Sequence, residues 1–229
     1  ETTRIKTNTS SALRFYNGKF SIGAYFKKLE EKDDAEGYLF GGEGNVARAS
    51  SDYSIDIKAV YALLNSDLNN KITLSNSLRY EINDVNYIGE SFGYSNDTIP
   101  TVRSNEEFKL NGFKSSVAYK ISPDLKIFAH ASYGYKTGGV NQQPYVSSQN
   151  RIYNPEYLGN FEISLKHSTD KIFTNISYFY SDRIDQQISI SAQQNINDPN
   201  SFYYFTTNSE NGGFSRGIEF DLNARISKK

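Results

Sequence analysis

A period-two alternation of apolar and polar residues runs along this chain of 229 residues and limits what it can fold into. Residues 125–136 show it best, because Leu, Ile, Ala and Tyr take the odd positions, whereas Lys, His, Ser and Gly take most of the even ones. Successive side chains of a strand point to opposite faces, so the pattern predicts strands with one apolar and one polar face. A run of about ten such residues is what a tilted strand needs to cross a bilayer.

The composition agrees with strands that are apolar on one face. Hydrophobic residues make up only 37% of the chain, yet aromatic residues reach 14%, with 18 Tyr and 15 Phe. An α-helical membrane protein is excluded, because no stretch approaches the roughly 18 consecutive apolar residues of a spanning helix. So many aromatic residues at regular spacing also argue against disorder. The net charge of −1 gives no reason to expect nucleic acid as a partner.

The connections between the predicted strands are alternately short and long. We predict strands at residues 3–16, 19–29, 53–64, 71–83, 107–121, 125–136, 157–167, 171–191 and 214–226. Short turns are predicted at residues 17–18, 65–70, 122–124 and 168–170, and long connections at residues 30–51, 84–106, 137–155 and 192–213. The pair Asn17-Gly18 is typical of a type I′ hairpin turn. Short turns at one end and long loops at the other are typical of outer-membrane barrels, whose periplasmic turns are short and extracellular loops long.

A soluble β-sandwich would also alternate and contain many turns. Two features favour a barrel: several predicted strands are longer than those of most sandwiches, and charged residues such as Arg79, Glu162 and Glu219 stand mid-strand opposite the apolar face. We therefore predict an all-β fold, an antiparallel transmembrane β-barrel segment with long extracellular loops and short periplasmic turns. A soluble or surface-attached sandwich that binds glycans or a protein partner is the alternative, and a passive porin is a third option.

Four motifs stand in the second half of the chain. Residues 128–141 (FAHASYGYKTGGVN) resemble the YASYSRGFKSGGFN stretch of TonB-dependent outer-membrane receptors, and residues 153–166 (YNPEYLGNFEISLK) resemble that family's Y-x-P-E-x-x-x-x-Y-E-x-G-x-K segment. Residues 177–182 (SYFYSD) and 211–222 (NGGFSRGIEFDL) are similar to its AxFYxDY and NAGKARSYGVELEL stretches. The four occur in the family's order, and the first hundred residues resemble it more loosely.

The resemblance implies a barrel of about 22 strands that is closed by an N-terminal plug and energised through TonB. Such a receptor imports a large, scarce nutrient, for example a ferric siderophore. Residues 1–229 would form part of a single barrel domain, about nine strands of it, without the plug and the closing strands. The implied partners are outer-membrane lipid, the receptor's own plug domain, the TonB complex and the nutrient. The implied location is the bacterial outer membrane.

The family's pattern also suggests candidate residues of the lumen. Polar side chains there would contact the plug or line the route of the nutrient, although they could equally well hydrate the inner wall and pair across strands. The candidates are Arg79, Glu81, Lys136, Glu162, Lys166, Glu219, Asp221 and Arg225.

Aromatic residues of the long loops could stack on a planar ligand. The candidates are Tyr94, Tyr145, Phe202, Tyr203 and Tyr204. Those nearest to strand ends could instead belong to the aromatic girdle that anchors such barrels.

No catalytic or metal-binding group is predicted. The chain has no Cys, and its two histidines, His130 and His167, lie on different predicted strands without a pattern of carboxylates beside them. We therefore expect no enzyme activity, no cofactor and no resident metal.

Overall fold

The computed structural model describes residues 2–38, 45–92, 98–143, 146–193, 196–197, 199 and 202–226. The strands in chain order are β1 (Thr2–Asn17), β2 (Phe20–Tyr38), β3 (Asn45–Asp67), β4 (Ile72–Phe92), β5 (Thr98–Lys120), β6 (Leu125–Lys136), β7 (Gly139–Val140), β8 (Ile152–Tyr153), β9 (Glu156–Ser168), β10 (Ile172–Ile184), β11 (Gln187–Gln193), β12 (Phe202–Asn208) and β13 (Gly213–Ala224). A 3-10 turn, Ser148–Asn150, precedes β8.

Nine of the strands in the described residues form one antiparallel sheet. Their spatial order is β1-β2-β3-β4-β5-β6-β9-β10-β13, while β7 pairs with β8 and β11 pairs with β12 in two small separate sheets. Within these residues β1 and β13 each have a neighbour on one side only, so the sheet is a segment of barrel wall that is not closed. The predicted antiparallel barrel segment is confirmed. The alternative of a β-sandwich, which needs two sheets packed face to face, is excluded.

Strands β2 to β5 are much longer than predicted. They span 19, 23, 21 and 23 residues, whereas about 9–11 suffice to cross a bilayer. The predicted long connections at residues 30–51 and 84–106 are wrong, because most of these residues continue the four strands. Polar and charged residues occupy both faces there, which hides the alternation from the sequence.

The chain leaves the wall at the end of β10. The predicted strand at residues 171–191 is wrong in its last part, because β10 ends at Ile184 and β11 pairs with β12 instead of with the wall. Between them Asp185 has a φ of 53°, a left-handed conformation that Asp tolerates better than most residues. Much of the predicted long connection at residues 192–213 is therefore the second strand of a hairpin.

The first hairpin turn is shifted by one residue from the predicted position. Asn17 and Phe20 still pair with each other, so the central residues are Gly18 and Lys19. Of the two, Gly18 alone has a positive φ, at 52°, and glycine adopts this conformation without steric cost. The predicted type I′ turn at Asn17-Gly18 is therefore wrong, although the hairpin itself is present.

The pairing register sorts the side chains of the wall onto two faces. One, which we call the apolar face, carries large apolar side chains that are exposed on every strand of the sheet except β6, where they are partly buried. Examples are Leu13, Phe15, Phe20, Ile22, Phe26, Val60, Leu64, Leu78, Tyr80, Phe113, Tyr119, Phe161, Ile163, Leu165, Ile176, Tyr178, Tyr180, Ile218, Phe220 and Leu222. A patch of this size is the surface that a barrel presents to lipid. We call the opposite side the polar face.

A buried apolar cluster lies on the polar face, at the end of the wall from which the long connections leave. It contains Ile55, Val85, Tyr87, Phe108, Leu110 and Val140. Alternation puts the odd positions of β3, which are mostly apolar, on one common face. Because Ile55 pairs with Val85 and Ala59 pairs with Glu81, that face is the polar face. Ile55 is buried there in the cluster that contains Val140.

Candidate functional site

The polar face collects the predicted lumen residues on one side of the wall. The register places Arg79 and Glu81 of β4, Glu162 and Lys166 of β9, and Glu219 and Asp221 of β13 on this face. Lys136, at the end of β6, stands opposite Glu156 of β9. Arg225 follows β13, and its backbone N–H donates to the carbonyl oxygen of Lys171 at 2.8 Å. Their role in contacting a plug or lining a route stays a prediction.

Arg79 is the centre of a cluster in the middle of the polar face. Its guanidinium pairs with Glu81, which is buried, and its Nε donates to the hydroxyl of Tyr135 at 3.1 Å. The guanidinium carbon also lies 5.7 Å from the ring centroid of Tyr25. These partners on three strands hold Arg79 in place, so much of its hydrogen-bonding capacity is already used within the wall.

Tyr135 is an exception to the alternation. Its odd position on β6 puts it with Tyr133 on the apolar face, yet its hydroxyl reaches Arg79 on the polar face. Pairing between β5 and β6 ends at Phe113 and Tyr133, while β6 stays paired with β9 up to Lys136. Strict alternation therefore stops where β5 and β6 separate.

A second polar cluster links β6, β9 and β10. The Oγ of Ser181 donates to Oδ1 of Asn160 at 2.6 Å, and Nδ2 of Asn160 lies 3.1 Å from Nε2 of His130. Glu162 comes within 4.0 Å of the same His130 nitrogen, so the structure supplies a carboxylate that the sequence pattern did not reveal. The pair is half-exposed, and the described residues include no group of three or more side chains able to hold a metal ion.

The remaining charged candidates have simple local contacts. The Nζ of Lys166 lies 4.7 Å from the ring centroid of Phe128, a distance typical of a cation–π contact. Asn175 donates to Asp221 at 3.3 Å. These contacts agree with cross-strand pairing along an inner wall.

Glu156 and Arg183 form an ion pair with a nearly buried carboxylate, which was not predicted from the sequence. Glu156, opposite Lys136 in the register, has a side chain only 7% exposed. It accepts from Nε of Arg183 at 2.9 Å and from the backbone N–H of Gln187 at 2.9 Å. Glu156 therefore holds the point where the chain leaves β10 for β11. Its place in the Pro-Glu motif was the available signal.

The polar face contains an open cleft of about 250 Å³ at the end from which the long connections leave. Arg4 and Asp33 form one side, in a bidentate pair with distances of 2.6 and 2.9 Å. Glu90 and Tyr87 line the wall, and Gln142 comes from the segment between β6 and β9. The lining is mixed in charge, and none of these residues was a predicted site residue.

The predicted loop aromatics divide into three groups. Tyr94 and Tyr145 lie outside the described residues. Phe202 and Tyr204 lie on one side of β12, 54% and 59% exposed, with their rings in an edge-to-face contact at 5.6 Å between centroids. Tyr203 lies on the other side of β12, 6.0 Å from the ring centroid of the buried Phe205. Phe202 and Tyr204 thus remain the accessible candidates, and ligand contact stays a prediction.

No helix formed by the described residues is both long and apolar enough to cross a membrane.

Comparison with known proteins gives one family and a consistent fold. Residues 2–227 match the family model described as TonB dependent receptor-like, beta-barrel. The chain is similar in structure to the ferric yersiniabactin uptake receptor FyuA from Yersinia pestis, with a TM-score of 0.79 at 15% identity, covering 99% of this chain and 34% of that one.

Two further solved structures share the fold. The siderophore receptor PiuA from Acinetobacter baumannii gives a TM-score of 0.64 at 15% identity, covering 100% of this chain and 37% of that one. The copper transporter OprC gives a TM-score of 0.67 at 10% identity, covering 99% of this chain and 36% of that one. The chain thus spans about a third of the length of the structures it matches.

Proposed function

Because the chain belongs to the TonB dependent receptor-like β-barrel family, we propose that it forms part of the wall of a receptor that imports a large, scarce nutrient with energy supplied through TonB. Membership also means that the protein is localised in the outer membrane of Gram-negative bacteria and belongs to a family of receptors, not of enzymes.

The observation that carries the proposal is the two-faced wall. Large apolar side chains are exposed along one face of eight of the nine strands in the described residues, and the opposite face holds ion pairs and hydrogen-bonded polar side chains. A wall of this kind separates lipid from a hydrated interior. At the end of the wall from which the long connections leave, the described residues form an open cleft and the small β7–β8 and β11–β12 sheets, which would offer a nutrient its first contacts.

The nutrient that we propose is a ferric siderophore. FyuA is a ferric yersiniabactin uptake receptor and PiuA is a siderophore receptor, and the exposed pair Phe202 and Tyr204 could stack on the planar groups of such a chelate. The similarity to the copper transporter OprC makes a copper-containing ligand the competing candidate. The chemistry of the cleft, with both charges present, is compatible with either class.

The proposed protein partners are the receptor's own plug domain and the TonB complex. The plug would lie against the polar face, where Glu162, Lys166 and Glu219 offer partly exposed charged groups. A passive porin would have no plug to contact, so it would not depend on an energised inner membrane.

Uptake by bacteria that produce the full-length receptor tests the proposal. A deletion strain and a strain lacking TonB would be supplied with radiolabelled ferric siderophores, copper complexes, cobalamin or oligosaccharides. We expect uptake of one ferric siderophore to be lost in both strains and restored by the intact gene in the first. If every iron chelate still enters and another nutrient does not, the siderophore proposal is wrong. If uptake is lost in the deletion strain but persists without TonB, the energised mechanism is wrong and a porin is favoured.

A further inference from the structure

The segment between β6 and β9 and the hairpin β11–β12 are joined by buried polar side chains. We infer that Asn141 and Arg151 lock these two connections into one preassembled unit, which we call the shelf, on the polar face of the wall before any ligand binds. The shelf comprises the described residues 137–143, 146–154, 187–193 and 202–208. The inference goes beyond the proposed import, because it concerns the assembly of the outer connections whatever the ligand is.

Arg151 closes the first connection on itself. It is 5% exposed, and its Nη1 donates to the carbonyl oxygens of Asn141 and Gln143, each at 2.7 Å. Its Nη2 donates to the carbonyl oxygen of Val146 at 2.6 Å. Burial of a guanidinium is costly unless its donors are satisfied, and burial lowers the pKa of Arg151. Arg151 reaches the three carbonyl oxygens from two nitrogens of a rigid planar fork, whereas a lysine would have only the three donors of a single nitrogen.

Asn141 ties the first connection to the hairpin. It is 7% exposed, and its Nδ2 donates to the carbonyl oxygens of Asn150 and Thr206, each at 2.7 Å. Its Oδ1 accepts from the backbone N–H of Thr206 at 2.8 Å. The amide thus pairs with Thr206 as a neighbouring strand would, across 65 positions of sequence. A donor and an acceptor on one short planar group are what this pairing requires.

The shelf is also seated on the wall. Val140 packs in the buried cluster with Val85, Phe108 and Leu110, and the hydroxyl of Tyr87 donates to the carbonyl oxygen of Gln142 at 2.7 Å. A Cβ at Gly138 would lie 2.6 Å from the ring of Phe108, so a glycine is needed for this close approach.

Further bonds connect the hairpin with the first connection. Nε2 of Gln187 donates to the carbonyl oxygens of Thr137 at 2.8 Å and Asn154 at 3.0 Å, and Nδ2 of Asn208 donates to Asn154 at 3.0 Å. The hairpin is thus held through the backbone of Thr206 and the side chain of Asn208 on β12 and through the side chain of Gln187 on β11, and it holds the rings of Phe202 and Tyr204 in one place. The shelf is therefore a fixed part of the barrel mouth and not a pair of independently moving loops.

Hydrogen exchange of the ligand-free, full-length receptor in lipid vesicles tests the lock. In the wild type we expect slow exchange in both halves of the shelf, including the N–H of Thr206. Asn141→Leu, which keeps the size but removes all three bonds, should accelerate exchange at least tenfold in residues 139–153 and in residues 202–208 together. Asn141→Asp, which keeps only the acceptor, should give a smaller acceleration. Peptides from residues 158–166 of the wall report whether the barrel remains folded.

A matched control is Asn105→Leu. Asn105 of β5 is exposed and donates to Asn86 of β4, and neither residue belongs to the shelf. It should leave the exchange of the shelf unchanged. Arg151→Lys should loosen the same two segments, and combining it with Asn141→Leu should add little.

Two results would overturn the inference. The first is rapid exchange of residues 202–208 in the wild type. The second is an Asn141→Leu effect confined to residues 139–153, which would mean that the two connections are independent. Uptake does not enter this measurement, so either result would leave the proposed import standing.

Discussion

The two halves of the sheet end differently on the side of the long connections. Strands β2 to β5 continue as paired strands of 19 to 23 residues, whereas β6, β9, β10 and β13 end after 12 or 13. The second half then folds its connections into the shelf. One half of the mouth is thus extended wall, and the other half is short wall with a buried polar network.

The extended half shows that alternation alone does not mark the membrane. On the apolar face of β2 to β5, the large apolar residues give way to charged ones toward the long-connection end. The charged residues on this face include Lys28, Asp56, Lys58, Asp84, Glu107 and Lys109. The same strands therefore meet lipid in one part and water in the next, and the chemical nature of the outward residues shows where the change occurs.

The largest expected effect tests the seat of the shelf on the wall. Leu110 is fully buried in the apolar cluster, so Leu110→Ala should lower the free energy of unfolding by about 2–5 kcal/mol through lost contacts and a residual cavity. Ile88→Ala, at an exposed position of the extended wall, should change it by about 0.5 kcal/mol or less. Urea unfolding of the full-length receptor in vesicles measures both. Equal losses of unfolding free energy in the two variants would mean that the apolar cluster does not anchor the shelf to the wall.

The next effect compares lipid-exposed and water-exposed parts of the wall. Ile163 stands on the apolar face between Phe161 and Leu165, and Ile163→Arg should destabilise the folded protein by about 2–4 kcal/mol, as charges do near the middle of a bilayer. Ile88→Arg makes the same exchange on the same face, beside Asp52 and Arg103, and should cost about 0–1 kcal/mol. The same unfolding assay applies, and a similar cost at both positions would contradict the proposed membrane boundary.

A smaller effect compares two ion pairs. Glu156→Ala would leave Arg183 and the N–H of Gln187 without their carboxylate partner and should cost about 1–3 kcal/mol. Asp84→Ala removes the exposed partner of Lys58, 2.9 Å away on the extended wall, and should change stability little because exposed pairs contribute little. Thermal unfolding of the two variants checks the difference. A larger loss for Asp84→Ala would reverse the comparison.

The sequence allowed prediction of the fold class and of strands whose alternation is clear. Strand β6 was predicted with its observed bounds, because its apolar residues stand regularly between Lys, His and Ser. The parts of β2 to β5 nearest the long connections were predicted as loops because charged residues interrupt the alternation there, although Val85 and Tyr87 are buried under the shelf. Alternation groups Ile55 and Ala59 of β3 on one face, but only the pairing register shows that this is the polar face.

The site was predicted less completely than the wall. A charged residue in mid-strand, such as Arg79 or Glu162, can be assigned to a face from its neighbours in the chain. The locks Asn141 and Arg151 cannot, since their partners are backbone groups up to 65 positions away. Burial of these side chains depends on a loop fold that has no periodic signal.

We infer that the apolar face of this wall lies in lipid around Ile163 and in water around Ile88, which is nearer to the long connections. The chain has no Cys, so Ile163→Cys and Ile88→Cys can each be labelled with an environment-sensitive fluorophore in a cysteine-free full-length receptor in vesicles. We expect the label at position 163 to be quenched by spin-labelled lipid and not by iodide, and the label at position 88 to be quenched by iodide and not by the lipid. Quenching of both labels by iodide to the same extent would contradict the account.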